Sequence, residues 1–496
     1  MDPGLIAAFA VYLVGMLVIG ILCYRLTDSL SGYMLGGRQL NPGVAALSAG
    51  ASDMSGWLLL GLPGAVYVGG LSQAWIAVGL TIGAYLNWQF VAKRLRVYTE
   101  VADDAITIPD FLSSRFQDRS GLLRIVSAVV ILLFFTFYVS AGLVAGGILF
   151  QETFGIGYST ALWAGALVIV SYTLIGGFLA VSWTDFVQGS LMFAALVVVP
   201  IVALAQMGGA GETVARVGEI DVSLNDMFTD MTVLGIVSLM AWGLGYFGQP
   251  QILVRFMAVR RARDVPLARL INMVWMVIAL YGAILVGYCG IAFFSDQPLA
   301  NPETVFIEFC RLLFNPWIAG ILLAAILAAV MSTIDSQLLV CSSALTEDFY
   351  RAFLRKNASQ RELVTIGRAS VIAIAVIAAI LAEDAHTSVL DLVGYAWAGL
   401  GAAFGPIILI ALYWRAMTRN AAAIGMIVGA VTVVVWKQLS GGLFDIYELL
   451  PGFVLNAVAV AVVSRLETRP KGRVGELFER TVEALRKSSE TETQAR

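Results

Sequence analysis

Along most of this chain, apolar runs of about twenty positions alternate with short polar punctuation. A window of about 19 residues divides it into about thirteen predicted helical spans: 4–24, 42–70, 73–92, 123–150, 158–177, 182–207, 232–256, 269–294, 315–346, 366–383, 388–413, 421–436 and 443–464. Several exceed the roughly 20 residues that cross a bilayer, which predicts tilted, kinked or protruding helices. The short alternating segments of a barrel are missing. Two spans interrupt their own pattern. Residues 48–57, Ser-Ala-Gly-Ala-Ser-Asp-Met-Ser-Gly-Trp, put small residues, serines and Asp53 at membrane depth. Backbone so prone to breaking is tolerated there only when buried in protein or lining a watery cavity. The second interruption, Trp242-Gly-Leu-Gly-Tyr-Phe-Gly-Gln-Pro250, follows five spans later, in the opposite membrane orientation. Paired interruptions at corresponding positions point to a transporter built from inverted repeats, with its site near the midplane. The expected division is 1–41 (first additional span), 42–207 and 208–414 (the two repeats), 415–464 (two additional spans) and 465–496 (tail).

Composition agrees with this class: 59% of residues are hydrophobic and 13% charged, outside the range of a soluble domain. With the N-terminus outside and strict alternation, all 31 lysines and arginines except Arg216, Arg311 and Lys437 fall inside; Arg25, Arg255 and Lys356 count as inside-loop residues. That asymmetry predicts a cytoplasmic C-terminus. The first apolar segment has no cleavage-like site and reads as a retained span. Cys23, Cys289, Cys310 and Cys341 show no paired spacing, so neither a disulfide framework nor a zinc site is implied. His386, the single histidine, is expected in an outside loop. Phosphate-loop, nucleophile-elbow, nucleotide-binding and nucleic-acid signatures are missing, which argues against an enzyme. The tail after Arg465 reads as a partly ordered end, with a short amphipathic helix around 474–485 as the alternative.

Three groups of residues carry candidate chemistry. In span nine, Ala329, Ser332 and Thr333 stand at i, i+3 and i+4 and share a helix face. With carbonyls freed at Ala51 and Met54 they would supply five oxygens to a sodium ion; back-bonding of the hydroxyls one turn earlier is the competing account. Asp53, Asp185 and Asp335 are carboxylates in or near the membrane, suited to cation coupling or proton relay. Asp53 as a half-helix cap and Asp185 as partner of an inner arginine are the structural alternatives. Trp57, Tyr138, Trp242 and Tyr246 form an aromatic wall around the breaks, and amides near Ser55–Trp57 would hold a substrate carboxylate. No buried lysine or arginine is expected as a rival carboxylate clamp.

The stretches SAGASDMSGWLLLGLPGAV (48–66), GGFLAVSWTDFVQ (176–188), WGLGYFGQPQILVRFMA (242–258), NPWIAGILLAAILAAVMST (315–333) and CSSALTEDFY (341–350) closely resemble the sodium/solute symporter family. The resemblance runs from the first span into the thirteenth. It implies a leucine-transporter-like five-plus-five inverted-repeat core and import of L-proline coupled to sodium, in the bacterial inner membrane, without an organic cofactor and as a monomer. It implies sodium ligands at Ala51, Met54, Ala329, Ser332 and Thr333, and coupling roles for Asp53 and Asp185. It places Ser55, Gly56, Trp57, Tyr138, Trp242, Tyr246 and Pro250 around the substrate. Some members carry serine where this chain has Asp335. Another small amino acid, a carboxylate or pantothenate as the solute, proton coupling, and a membrane solute sensor without turnover stay open as alternatives.

Overall fold

The computed structural model describes residues 3–24, 30–173, 177–355, 357–384, 388–468, 470 and 472–494. His386, Arg25 and Lys356 lie outside these described residues. Among the described residues every element is helical, apart from one isolated bridge between Leu40 and Val259. Ten helical stretches among them are long and apolar enough to cross a bilayer, accompanied by three shorter apolar helices, Pro42–Ala51, Tyr158–Ser171 and Val233–Gly248. Breaks divide some of the thirteen expected spans, so length alone does not count them out.

The helix Pro316–Ser343 lies at the centre, packed by Pro3–Tyr24, Leu122–Phe154, Phe178–Gln206 and Gln360–Leu381. Asn315 caps it by accepting from the Ile318 amide (3.2 Å), and Pro316 opens its first turn, where a missing N–H is harmless. Large apolar side chains such as Val11, Leu167, Ile201, Leu270 and Ile380 are exposed, as expected of helices whose outer faces meet lipid rather than water.

Contacts sort the connecting segments into two ends. At one, Arg38 pairs with Asp104 (2.9 Å), Arg96 Nε donates to Val259 O (2.7 Å) and Arg94 Nε donates to Leu412 O (2.6 Å). At the other, Leu299 N donates to the Tyr67 hydroxyl (3.2 Å), Trp75 Nε1 to Met227 O (2.9 Å) and Tyr158 OH to Ala382 O (2.8 Å). The first end gathers the arginine-rich segments and is called here the basic end; the second carries the acidic 212–230 stretch. At that second end Glu303 accepts from Ser388 Oγ (3.1 Å), Val389 N (3.2 Å) and Leu390 N (3.3 Å), closing the N-terminus of Val389–Tyr413. Burial raises the Glu303 carboxyl above its ordinary range, against those three donors.

The tail corrects the expectation of a partly ordered end. Arg473–Gln494 is a helix docked on the basic end, with Leu477 and Thr481 buried. Arg473 pairs with Asp103, Arg415 with Glu479 (2.8 Å), and the Phe478 ring sits 6.4 Å from Tyr98. An amphipathic helix needs a partner for its apolar face, and the helices Lys93–Val101 and Ile108–Phe116 supply one.

Candidate functional site

The first interruption is a real break. Pro42–Ala51 ends at Ser52, and helix resumes only as a short 3-10 turn, Gly56–Leu58, followed by Gly61–Gly69. Between them the Ser55 amide reaches only Asp53 O (3.0 Å), and Ser55 is extended at φ −70°, ψ −165°. The Met54 amide makes the last i→i−4 bond, to Gly50 O (3.0 Å), and the ladder is then lost over Ser55–Trp57, releasing backbone groups inside a buried interface. Gly56 lets this turn touch its neighbours: a Cβ there would stand 2.5 Å from Ala145 Cβ and 3.1 Å from Val330 Cγ2.

The released carbonyls meet the central helix. Ser332 Oγ donates to Ala51 O (2.8 Å) and to Ala329 O (3.1 Å), while Thr333 Oγ1 donates to Ala51 O (3.3 Å). Two hydroxyls and two carbonyls thus converge from two helices, all buried. Oxygens of this kind can hold a hard cation. Met54 is wholly buried in the same turn, its amide bound to Gly50 O (3.0 Å).

Asp53 ties the two broken helices together. Its Oδ2 accepts from Tyr246 OH (2.5 Å), and its carbonyl accepts from Tyr138 OH (3.1 Å). It bonds across the interface rather than capping its own half-helix. Asp53 Oδ1 and Ser55 Oγ are buried without a protein partner, an arrangement that usually marks a place for water, an ion or a ligand. Trp57 and Trp242 lie 6.2 Å apart, Trp242 stacks on Tyr447 (5.2 Å, 16°), and Trp397 meets Tyr246 edge-on at 5.1 Å.

The second interruption takes a different form from the first. Ala241–Gly248 stays helical as a 3-10 segment, and the turn falls at Gln249 (φ −88°, ψ 105°), before Pro250–Ala258. Its glycines serve close approach more than breaking. A Cβ on Gly245 would stand 1.8 Å from Trp397 Nε1, and one on Gly243 would stand 2.2 Å from Gly79 O. Small residues let helices in a membrane pack backbone to backbone.

One turn toward the basic end lies a charged cluster that overturns the expectation of no buried arginine. Arg255, 1% exposed, belongs to the helix Pro250–Ala258 and not to a loop. Its Nη2 meets Asp185 Oδ2 (3.2 Å) and Ser336 Oγ (2.5 Å), and its Nε meets Ser48 Oγ (3.1 Å). Ser48 Oγ also donates to Asp185 Oδ2 (2.6 Å). Asp185 therefore has the arginine partner foreseen for it, well inside the protein. Asp335 is buried on the central helix, and its charge bears on Arg255.

The structure thus assembles Ala51, Ala329, Ser332 and Thr333 at one spot, with Asp53, Ser55, Gly56, Trp57, Tyr138, Trp242 and Tyr246 around the adjoining break. Pro250 stands outside that group: it lines a cavity with Arg255, Val254 and Asp348. Ser48, Arg255, Ser336, Trp397 and Tyr447 were missed by sequence reasoning. For Arg255 the signal was present, since Ile252, Leu253, Val254, Phe256 and Met257 surround it.

A model of the sodium:solute symporter family matches residues 33–429. The chain is 54% identical over 480 residues to the sodium/proline symporter of Escherichia coli strain K12, covering 96% of this chain and 95% of that protein. It is 52% identical over 483 residues to the osmoregulated proline transporter of Bacillus subtilis strain 168, covering 96% and 98%. Among solved structures, a substrate-bound, outward-open sodium-coupled sialic acid symporter superposes with a TM-score of 0.79 at 18% identity, over 95% of this chain and 99% of that one. A nucleobase-cation-symport-1 family transporter in a closed conformation gives 0.55 at 15% identity, over 91% and 99%. At such identities the superpositions speak to fold, the leucine-transporter-like core with broken helices. By the family match over most of its length and by its relatives, this chain belongs to the sodium:solute symporter family.

Proposed function

We propose that this protein imports L-proline together with sodium by alternating access. The observation that carries the reading is the meeting of the Ser332 and Thr333 hydroxyls with the Ala51 carbonyl inside a helix break, in a chain about half identical to proline transporters. Sodium is held by the carbonyls of Ala51, Met54 and Ala329 and the hydroxyls of Ser332 and Thr333. Proline binds beside it, its carboxylate toward the amides of Ser55–Trp57 and its ring against Trp57, Tyr138, Trp242 and Tyr246, while Pro250 stands apart in the cavity beside Arg255. Asp53 couples the two ligands through its bond to Tyr246, and Asp185 acts with Arg255 on the release side. Residues 42–207 and 208–414 are the two repeats that rock against each other. The basic end faces the cytoplasm of the bacterial cell, the N-terminus faces outward, and the transporter works as a monomer in the inner membrane.

Sodium joins the first broken helix to the central helix and completes the proline pocket, so each ligand tightens the other by the same factor. One charge crossing about 100 mV releases about 2.3 kcal/mol. At one sodium per proline, the potential alone supports roughly forty-fold accumulation.

The test is uptake of labelled proline into vesicles holding the purified protein, with and without an inward sodium gradient. Accumulation that needs the gradient supports the reading. Binding without accumulation makes the protein a sensor, dependence on a proton gradient removes sodium, and preference for another solute in a labelled panel replaces proline.

A further inference from the structure

Two cavities approach each other between the Arg255 cluster and the basic end. The inner one, about 20 Å³, holds little more than one water and is lined by Met34, Phe178, Pro250, Arg255, Thr107 and Asp348. The outer one, a cleft of about 440 Å³, is lined by Thr107, Asp110, Arg124, Glu347, Asp348 and Arg351. They share Ile106, Thr107 and Asp348 as a common wall.

Across that wall, Asp348 is tied to the facing helices through side chains. Asp348, 1% exposed, accepts from Thr107 Oγ1 (3.4 Å) and from Arg124 Nη1 (3.3 Å). The other arm of Arg124 binds Asp110 Oδ1, and Asp110 closes back on Thr107 through its amide (3.0 Å). The four residues come from three separate elements: Thr107 and Asp110 from the start of Ile108–Phe116, Arg124 from the first turn of Leu122–Phe154, and Asp348 from Ala344–Leu354. The last is a π-wound extension of the central helix, a winding frequent at functional sites. Both bonds to Asp348 are long, but the one from Arg124 joins opposite charges, which makes Arg124 the main tie. Inward from this wall the path reaches Arg255, whose partners Ser48 and Ser336 sit one helical turn from Ala51 and Ser332.

We propose that Arg124, bridging Asp348 and Asp110, is the latch that closes the exit from the binding site at the basic end. Release of Asp348 by Arg124 joins the two cavities and opens a hydrated route for the ion and its solute. The cleft beyond carries three carboxylates against two guanidiniums, which draws a departing cation outward. The proposal rests on the transport reading above for what travels along the route, but not for the opening itself.

The test reads the opening without any solute. Ser343 lines the inner cavity, and Ser343→Cys in purified protein reports access by its rate of reaction with a charged maleimide in sodium buffer. The protein without the introduced cysteine gives the background. Arg124→Gln is expected to speed labelling about tenfold, the factor that 1.4 kcal/mol gives, and Arg124→Lys, which keeps the charge, to restore most of the native slowness. A reporter in the cleft at the opposite end, Ala65→Cys, should label no faster. If Arg124→Gln fails to reach the membrane, Asp348→Asn takes its place. Labelling of Ser343→Cys that stays within about twofold of native, or that rises together with Ala65→Cys, overturns the latch. A wrong choice of proline leaves these rates untouched and shows only in uptake.

Discussion

One helical turn separates two polar clusters built on the same pair of helices. In the first, Ala51 O meets Ser332 and Thr333, and every oxygen is uncharged. In the second, Ser48 and Ser336 stand where Ala51 and Ser332 stood, and the guanidinium of Arg255 fills the space between them, paired with Asp185. On the proposed transport reading, the same scaffold offers one place for a cation that comes and goes, beside one for a cation that is covalently part of the chain. Neutral oxygens suit the first, because a buried carboxylate left behind by a departing ion is costly. The second holds its carboxylate against a tethered partner, so nothing is stranded when the first empties.

Four experiments break or sharpen this comparison, in falling order of expected effect. Arg255→Met leaves the Asp185 carboxylate buried without its partner and should cost about 3–5 kcal/mol of stability, seen as early unfolding of the purified protein on heating. Adding Asp185→Leu should recover most of that loss; no recovery would mean that Arg255 is held by something other than its pair. Ser332→Ala with Thr333→Ala should raise the sodium concentration for half-maximal uptake about hundredfold, two steps of 1.4 kcal/mol, with the amount in the membrane unchanged. Unaltered sodium dependence in reconstituted vesicles would remove the cation from this cluster. Trp57→Ala should weaken proline about thirtyfold through lost ring contact and barely touch sodium binding measured alone; equal losses would make Trp57 structural. Tyr246→Phe deletes the bond to Asp53 and should weaken both ligands by a common factor of about ten, read from paired sodium and proline titrations. A change in one alone would show that Asp53 does not link them.

Much of the first cluster was legible along the chain. Alanine, serine and threonine at i, i+3 and i+4 share a face of a helix, and a run of small and polar residues such as Ala51–Trp57 is prone to break one. The second break was legible only in place. Gly243, Gly245 and Gly248 read as breakers, yet the backbone stays helical through them and turns at Gln249. Their purpose, admitting Trp397 and the neighbouring backbone, depends on what packs opposite. The docked tail was half legible: its apolar positions are local, its partner is not.

By itself the sequence determined the class, the apolar spans, the two interruptions and the hydroxyl-bearing face of the central helix, because each follows from local periodicity and from the cost of polar backbone in lipid. Only the tertiary structure decided that Arg255 lies buried between Ser48, Asp185 and Ser336, that Asp53 reaches Tyr246, and that Arg124 spans two carboxylates. Apart from Arg124 and Asp110, which are 14 positions apart, these are contacts between residues at least 70 positions apart in the chain. A charge inside a membrane protein is tolerable or costly according to its partner, and the partner is chosen by the packing of helices, which no local pattern records.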